Sequence, residues 1–171
     1  MVNKLVLQSV INKYYLGEVE SVKWKTQDKI LTIDFMSINK EVIGNITHTD
    51  IDIEDSNLAI FDTKKLLNLV NITSGDLLIS LEKTKAIYTK LYFGDEQGHN
   101  NKIVYTLTGN IRQADISIPF NSDMFKTILN ANKDLEEGIL YLSYQGLMKL
   151  EFKSLNTTST YYMIRKEESA F

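Results

Sequence analysis

The chain of 171 residues has no cysteine, one proline, two histidines and eight glycines, which are scattered singly. Each scarcity excludes something. Without cysteine there is no disulfide, thiol nucleophile, zinc finger or iron–sulfur ligation, and a reducing interior is the fitting compartment. Glycines spread this thinly make no phosphate-cradling loop with a Walker lysine, and no serine sits in a Gly-x-Ser-x-Gly elbow. His48 and His99 lie outside any i, i+4 pair and away from a nucleophile, so both read as surface histidines. No apolar run approaches the roughly 20 residues of a membrane span, and the first seven residues lack the long apolar core of a signal peptide. A cytoplasmic protein with no membrane partner is expected. The net charge of −3 gives no overall attraction to nucleic acid, which leaves local segregation of lysine as the route to it. Asp50, Asp52 and Asp55 lack the glycine bend and closing glutamate of a calcium loop. Ile51 and Ile53 alternate with these acids as in a half-buried strand. The expectation is a non-enzymatic protein with no cofactor and no metal.

What the chain does have is a repeat. Ala59-Ile60-Phe61-Asp62-Thr63, followed by Leu66, Leu69, Val70 and Asn71, recurs 59 positions later as Ile118-Pro119-Phe120-Asn121-Ser122, followed by Phe125, Ile128, Leu129 and Asn130. The likeness resumes at an offset of 63, with residues 75–81 answered by residues 138–144, which implies a four-residue insertion between them. Each copy reads as strand, capped short helix, glycine turn and strand pair. Repetition of one such unit builds a surface by tiling and favours a scaffold over an enzyme pocket.

The remaining pattern places three helices among many strands. Leu5, Val6, Leu7, Val10, Ile11, Tyr14 and Tyr15 give helical spacing from Lys4 to Tyr15, with Gly17 as a stop. Residues 19–47 read as an antiparallel meander. Asp62 and Asn121 are N-caps for helices starting at Thr63 and Ser122. Residues 94–101 form the clearest loop and the expected unit boundary; strands at 102–107 and 114–118 follow. A hairpin at 147–152 and 160–165 precedes a charged tail ending in Phe171, for which the sequence offers no account. Tyr141, Tyr144, Phe152, Tyr161 and Tyr162 are open to two readings, a base-stacking platform or sheet core, and near-alternation favours core.

This order of elements, with Ala59-Ile60-Phe61-Asp62 before a leucine helix and the closing Ser159-Thr160-Tyr161-Tyr162-Met163-Ile164-Arg165-Lys166-Glu167-Glu168, resembles the DNA polymerase sliding clamps of T-even-type phages. More distantly it is similar to proliferating cell nuclear antigen. The resemblance implies an α+β clamp fold: repeated β-α-β-β units, antiparallel sheets outside and short helices on the inner face. It places a first clamp-like domain at 1–95, a connecting loop at 96–101 and a shortened second domain at 102–171. The helix and strands that would open the second domain are absent, about fifty residues at such repeat lengths.

The same resemblance implies a processivity factor of a phage replisome that encircles double-stranded DNA without reading sequence. It also implies a DNA polymerase and a clamp loader as partners. The helix stripes fit a wall that holds phosphates: Lys4, Gln8, Asn12 and Lys13 on the first helix, Lys64, Lys65 and Asn68 on the second, and Lys126, Asn130 and Lys133 on the third. Carboxylates gather elsewhere, at Glu18 and Glu20, at residues 50–55 and at Glu167 and Glu168. Client peptides would dock by Tyr162, Met163, Ile164 and Arg165. Three helix-bearing units per chain, against twelve in clamp rings in general, imply a homo-oligomer closed through sheet edges, a tetramer or a trimer with an incomplete second domain; a monomer that grips DNA without closing stays open. The alternative is a β-rich interaction or virion adaptor protein with no DNA role, its lysines being ordinary residues of exposed helix faces.

Overall fold

The computed structural model describes residues 1–83, 89–94, 118–143 and 145–166. The elements run α1 (Lys4–Tyr15), β1 (Val22–Gln27), β2 (Ile30–Met36), β3 (Val42–Thr49), β4 (Ser56–Ile60), α2 (Thr63–Ile72), β5 (Leu78–Lys83), β6 (Thr89–Gly94), α3 (Ser122–Ala131), β7 (Glu137–Leu142), β8 (Leu147–Lys153) and β9 (Thr157–Ile164). The expected strand at 102–107, most of those at 114–118 and of the loop at 94–101, His99, Tyr144 and the tail with Glu167, Glu168 and Phe171 lie outside the described residues.

The helices begin where side chains satisfy their first amides. Asn3 accepts from Leu5 and Val6, Asp62 from Lys65 at 2.7 Å, and Asn121 from Met124 at 3.1 Å. The first helix ends as Leu16 and Gly17 turn left-handed, at φ 47° and 82°. Seven strands form one antiparallel sheet in the order β4-β1-β2-β3-β9-β8-β7, and β5 pairs β6 in a second. The β3–β9 pair, from Val42↔Met163 to His48↔Thr157, joins strands from the two ends of the chain.

One face of the large sheet carries the core. Trp24, Leu31, Ile33, Ile46 and Tyr161 are sealed under Leu7, Ile11 and Tyr14 of α1, each such side chain contributing about 1.5–3 kcal/mol by leaving water. Phe35, Gly44, Tyr161, Leu150 and Leu140 form one cross-strand row. Gly44 is required there, because a Cβ would fall onto the Phe35 ring, which stands edge-on to Tyr161 at 5.8 Å. Polar groups interrupt this core at the seam between α1, α3 and β9. Tyr161 donates to the carbonyl of Lys13 (2.9 Å), Asn132 donates to the Tyr161 hydroxyl (2.8 Å), and Ser159 donates to the Asn132 carbonyl oxygen (2.5 Å).

The repeat is visible as elements. α2 and α3 are both ten residues long and lie 59 positions apart, and β5 and β7 start at the same offset. The four-residue insertion therefore has no counterpart in element spacing. Gly75 occupies a left-handed turn (φ 77°), whereas Gly138, its partner at offset 63, lies within β7. The shared glycine set the wrong register. Two further expectations are corrected. His48 is buried, with Nδ1 2.8 Å from Thr157 Oγ1. Ile51 and Ile53 are buried and alternate with exposed acids, but the segment forms no strand. Asp52 instead pairs with the N-terminal ammonium at 2.5 Å, which holds its carboxyl below the usual range.

Candidate nucleic-acid and partner surfaces

The three helices share the layer opposite the sheet's outer face, α1 packing against both α2 and α3. Lys64, Lys65 and Asn68 on α2 are exposed, as are Lys126 and Asn130 on α3 and Lys133 just beyond it. The first turn of α2 adds a helix N-terminus to its two lysines, and both features favour phosphate oxygens. On α3 Asp123 offsets part of the charge.

α1 departs from the expectation. Lys13 is fully buried, its ammonium 2.7 Å from both carboxylate oxygens of Asp134 and within reach of Ser9 Oγ. Burial lowers its pKa against the opposing pull of Asp134. An ammonium consumed in this way cannot touch a phosphate. The cause is geometric: one position before Tyr14, a helix stripe at this spacing faces α3 rather than solvent. Lys4 is half-buried and donates to the carbonyls of Asn71 (3.0 Å) and Thr73, closing the C-terminal end of α2 with positive charge. Gln8 donates to Asn71 Oδ1 at 2.6 Å. Of the four α1 residues only Asn12 is fully exposed. It lines an open groove of about 910 Å³ between α1 and α3, together with Asn130, Lys133 and Glu136.

The outer face of the sheet holds a second surface. Met36, Ile43, Tyr162, Lys149 and Tyr141 stand side by side across β2, β3, β9, β8 and β7. Met36, Ile43, Tyr162 and Tyr141 are exposed, and Ile38 and Ile164 flank them. The Lys149 ammonium lies 5.1 Å from the Tyr141 ring centre, 5.9 Å from that of Tyr162 and 3.1 Å from Glu151. The Glu151 hydrogen bond raises the Lys149 pKa and the same bond lowers that of Glu151. Of the expected partner residues, Tyr162 and Ile164 join this apolar stripe and Arg165 is exposed beside it. Met163 points the other way and is buried, because alternation sends neighbouring side chains to opposite faces. Sequence reasoning missed Met36, Ile38 and Ile43. Their signal was available, since Ile43 breaks the in–out alternation of β3 with an apolar residue on the outer face.

Among the described residues no group of His, Asp or Glu is arranged to hold a metal ion, and no helix is long and apolar enough to cross a membrane. The strand–helix–strand units, with helices on one side and a continuous antiparallel sheet on the other, define a clamp fold. No protein-family model and no curated protein matches the sequence. Solved structures do match. One is a chain of the PCNA2–PCNA3 complex from Sulfolobus tokodaii, with 7% identity, 98% of each chain covered and a TM-score of 0.64. Another is the proliferating cellular nuclear antigen of Entamoeba histolytica, with 9% identity, 96% of each chain covered and a TM-score of 0.64. The chain thus has the fold of the PCNA-like sliding clamps.

Proposed function

We propose that this chain is a sliding clamp of a phage replisome, a non-enzymatic ring that holds double-stranded DNA and tethers a DNA polymerase after loading by a clamp loader. The observation that carries it is the clamp fold over the full chain length with exposed lysine on the helix side. Lys64, Lys65, Lys126 and Lys133, with Asn12, Asn68 and Asn130, supply sequence-independent phosphate contacts. Lys4 and Gln8 act indirectly by fixing α2. The Tyr162–Ile43 stripe receives apolar anchors of client peptides. The division stays as read from the sequence, 1–95 and 102–171 about a connection at 96–101, with the second domain reduced to one repeat unit. A homo-oligomer, trimer or tetramer, closes the ring in the cytoplasm of the host cell.

Retention on nicked circular against linearised DNA, with a loader, tests this. Retention on circles alone, reduced at least tenfold by the quadruple exchange of Lys64, Lys65, Lys126 and Lys133 to Ala, is the expected result. Equal retention on both topologies, or none on either, rejects the clamp reading. Separately, Tyr162→Ala and Ile43→Ser are expected to abolish capture of the cognate polymerase while leaving DNA retention intact.

A further inference from the structure

The sequence groups Glu20 with the acids that stand apart from the lysines, and the fold brings it back among them. The backbone carbonyl of Glu20 accepts from both the amide and the hydroxyl of Thr63 at 3.0 Å, which docks the turn between α1 and β1 onto the start of α2. The side chain follows. Glu20 Oε2 accepts from the amide of Lys64 at 3.2 Å, and Tyr15 Oη lies 3.5 Å from Oε1. Asp62 takes the amide of Lys65 at 2.7 Å. The amides of Thr63, Lys64 and Lys65 therefore all have acceptors from the chain itself, and two of these acceptors are carboxylates. A helix start offers fixed donors to a phosphate oxygen; here the protein's own anions hold that place.

The lysines of the same turn are treated differently. Lys64 and Lys65 are exposed, and among the described residues neither ammonium makes an ion pair. Both carboxylates are committed to backbone amides, so the amides are filled while the ammoniums stay unpaired. α3 shows a simpler arrangement. Its cap Asn121 is neutral and accepts from Met124, and among the described residues no carboxylate accepts from the amides of Ser122 or Asp123. One cap suffices to start a helix of this repeat, and Glu20 is an addition to it.

We propose that Glu20 is a resident competitor for the DNA backbone: its carboxylate occupies the first turn of α2 in place of a phosphate group and limits the duplex there to contact with the Lys64 and Lys65 side chains. This rests on the reading of the helix face as the DNA surface and names what sets the strength of that grip. Two kinds of donor are at stake. Backbone amides at a helix start are fixed and would hold one phosphate in one register. An ammonium on a flexible four-carbon stem can follow a phosphate and release it. A sliding contact needs the second kind and is slowed by the first. The carboxylate also weakens the field of the two lysines, since a phosphate approaching them comes within the Debye length of about 10 Å at 0.1 M salt. Glu18, two residues earlier, has a different task. Its carboxylate accepts from the amide of Ile38 at 3.3 Å, in the turn between β2 and β3.

Glu20→Gln separates charge from structure, because its amide oxygen still accepts from Lys64 while the negative charge is gone. The full-length chain, this variant and Glu18→Gln, which has the same net charge, are titrated with a mixed-sequence duplex of about 30 base pairs at about 50 and 200 mM salt. Glu20→Gln should bind at least threefold more tightly at the lower salt. Its slope of log K against log salt should steepen by up to about 0.9, the value of one added phosphate contact. Glu18→Gln should leave affinity unchanged within about twofold, and the gain should vanish when Lys64 and Lys65 are both replaced by Ala. An affinity unchanged in Glu20→Gln, an equal gain in Glu18→Gln, or a gain that survives the loss of both lysines each overturns the proposal.

A second arm does not depend on DNA binding. In Glu20→Ala, millimolar inorganic phosphate should shift the backbone amide resonance of Lys64, whereas in the unmodified chain that resonance should hold still. A silent Lys64 amide in folded Glu20→Ala overturns the competitor role even where DNA is retained. Phosphate binding by Glu20→Ala with no duplex binding by any variant does the reverse: Glu20 stays the occupant of this turn, and the clamp reading is removed.

Discussion

α2 and α3 come from two copies of one sequence pattern, and they present different sides to the sheet. α2 buries Thr63, Leu66 and Val70, whereas α3 buries Met124 and Ile128. At the shared offset of 59 the partner of Ile128 is Leu69, which is 42% exposed while Ile128 is fully buried. The second copy is turned by about one residue, roughly 100° of helix. The neighbours account for it. α2 lies against α1 with its C-terminal end held by Lys4 and Gln8, while α3 is held from its far end by Asn132 and by the Lys13–Asp134 pair. A repeat thus specifies the element and its spacing, and the packing partner decides which stripe goes inside.

The strongest way to break this difference is to remove the hold on α3. Lys13 is buried and Asp134 is partly exposed, so the two truncations are unequal. Asp134→Ala strands a buried ammonium and should cost about 3 kcal/mol in denaturant unfolding. Lys13→Met leaves Asp134 free to hydrate and should cost less than about 1 kcal/mol. Equal costs would mean that the pair contributes attraction rather than relief of a buried charge. Amide exchange in α3, in contrast with α2, should rise in Asp134→Ala.

The seam strand comes next. Gly44→Ala drives a methyl into the Phe35 ring, and displacement of Phe35 or Tyr161 should cost about 1–3 kcal/mol. Thermal unfolding reads it directly, and a neutral result would show that β3 and β9 can separate slightly without loss.

Caps sharpen the comparison on a smaller scale. Asp62→Ala should cost about 1 kcal/mol, the ordinary value for a lost N-cap. Asn121 does more, because its amide also donates to Glu41 Oε2 at 2.7 Å and so ties α3 to the turn before β3. Asn121→Ala should exceed Asp62→Ala by about 0.5–1 kcal/mol, the worth of one hydrogen bond. Double exchange with Glu41→Ala should erase the excess.

These effects mark what was legible in the sequence. α1 was readable because apolar spacing and the Gly17 stop agree, and the caps of α2 and α3 because cap chemistry is local; the Asn3 cap of α1 went unread. The meander and closing hairpin followed from alternation. The lysines of α2 and α3 were placed correctly as exposed, since a short helix on a sheet leaves its polar side outward. Lys13 was not, because its burial depends on Asp134, more than a hundred positions away. Met163 was misjudged for a different reason: four consecutive residues were assigned to one surface, and a strand divides them between two. The β3–β9 pairing, which makes one sheet from both ends of the chain, leaves no local sequence trace.

That seam also contains a titratable group. His48 on β3 faces Thr157 on β9, and burial lowers its pKa, helped by the charge of Lys13 and opposed by Asp50. With the folded pKa below the ordinary 6.5, the unfolded chain binds the extra proton first as pH falls. Stability is then full above pH 6.5 and declines through the window below it until the folded-state pKa is reached. Unfolding by urea at pH 7 and pH 5 should show the loss, and His48→Gln, which keeps an acceptor for Thr157 without a proton equilibrium, should flatten it. The more acidic loss from Asp52 lies below pH 4 and stays separate, because its folded pKa is depressed below 3.8. If His48→Gln retains the full slope between pH 7 and 5, the seam titrates elsewhere; if the slope vanishes, the join between the chain's two ends is the acid-sensitive part of the fold.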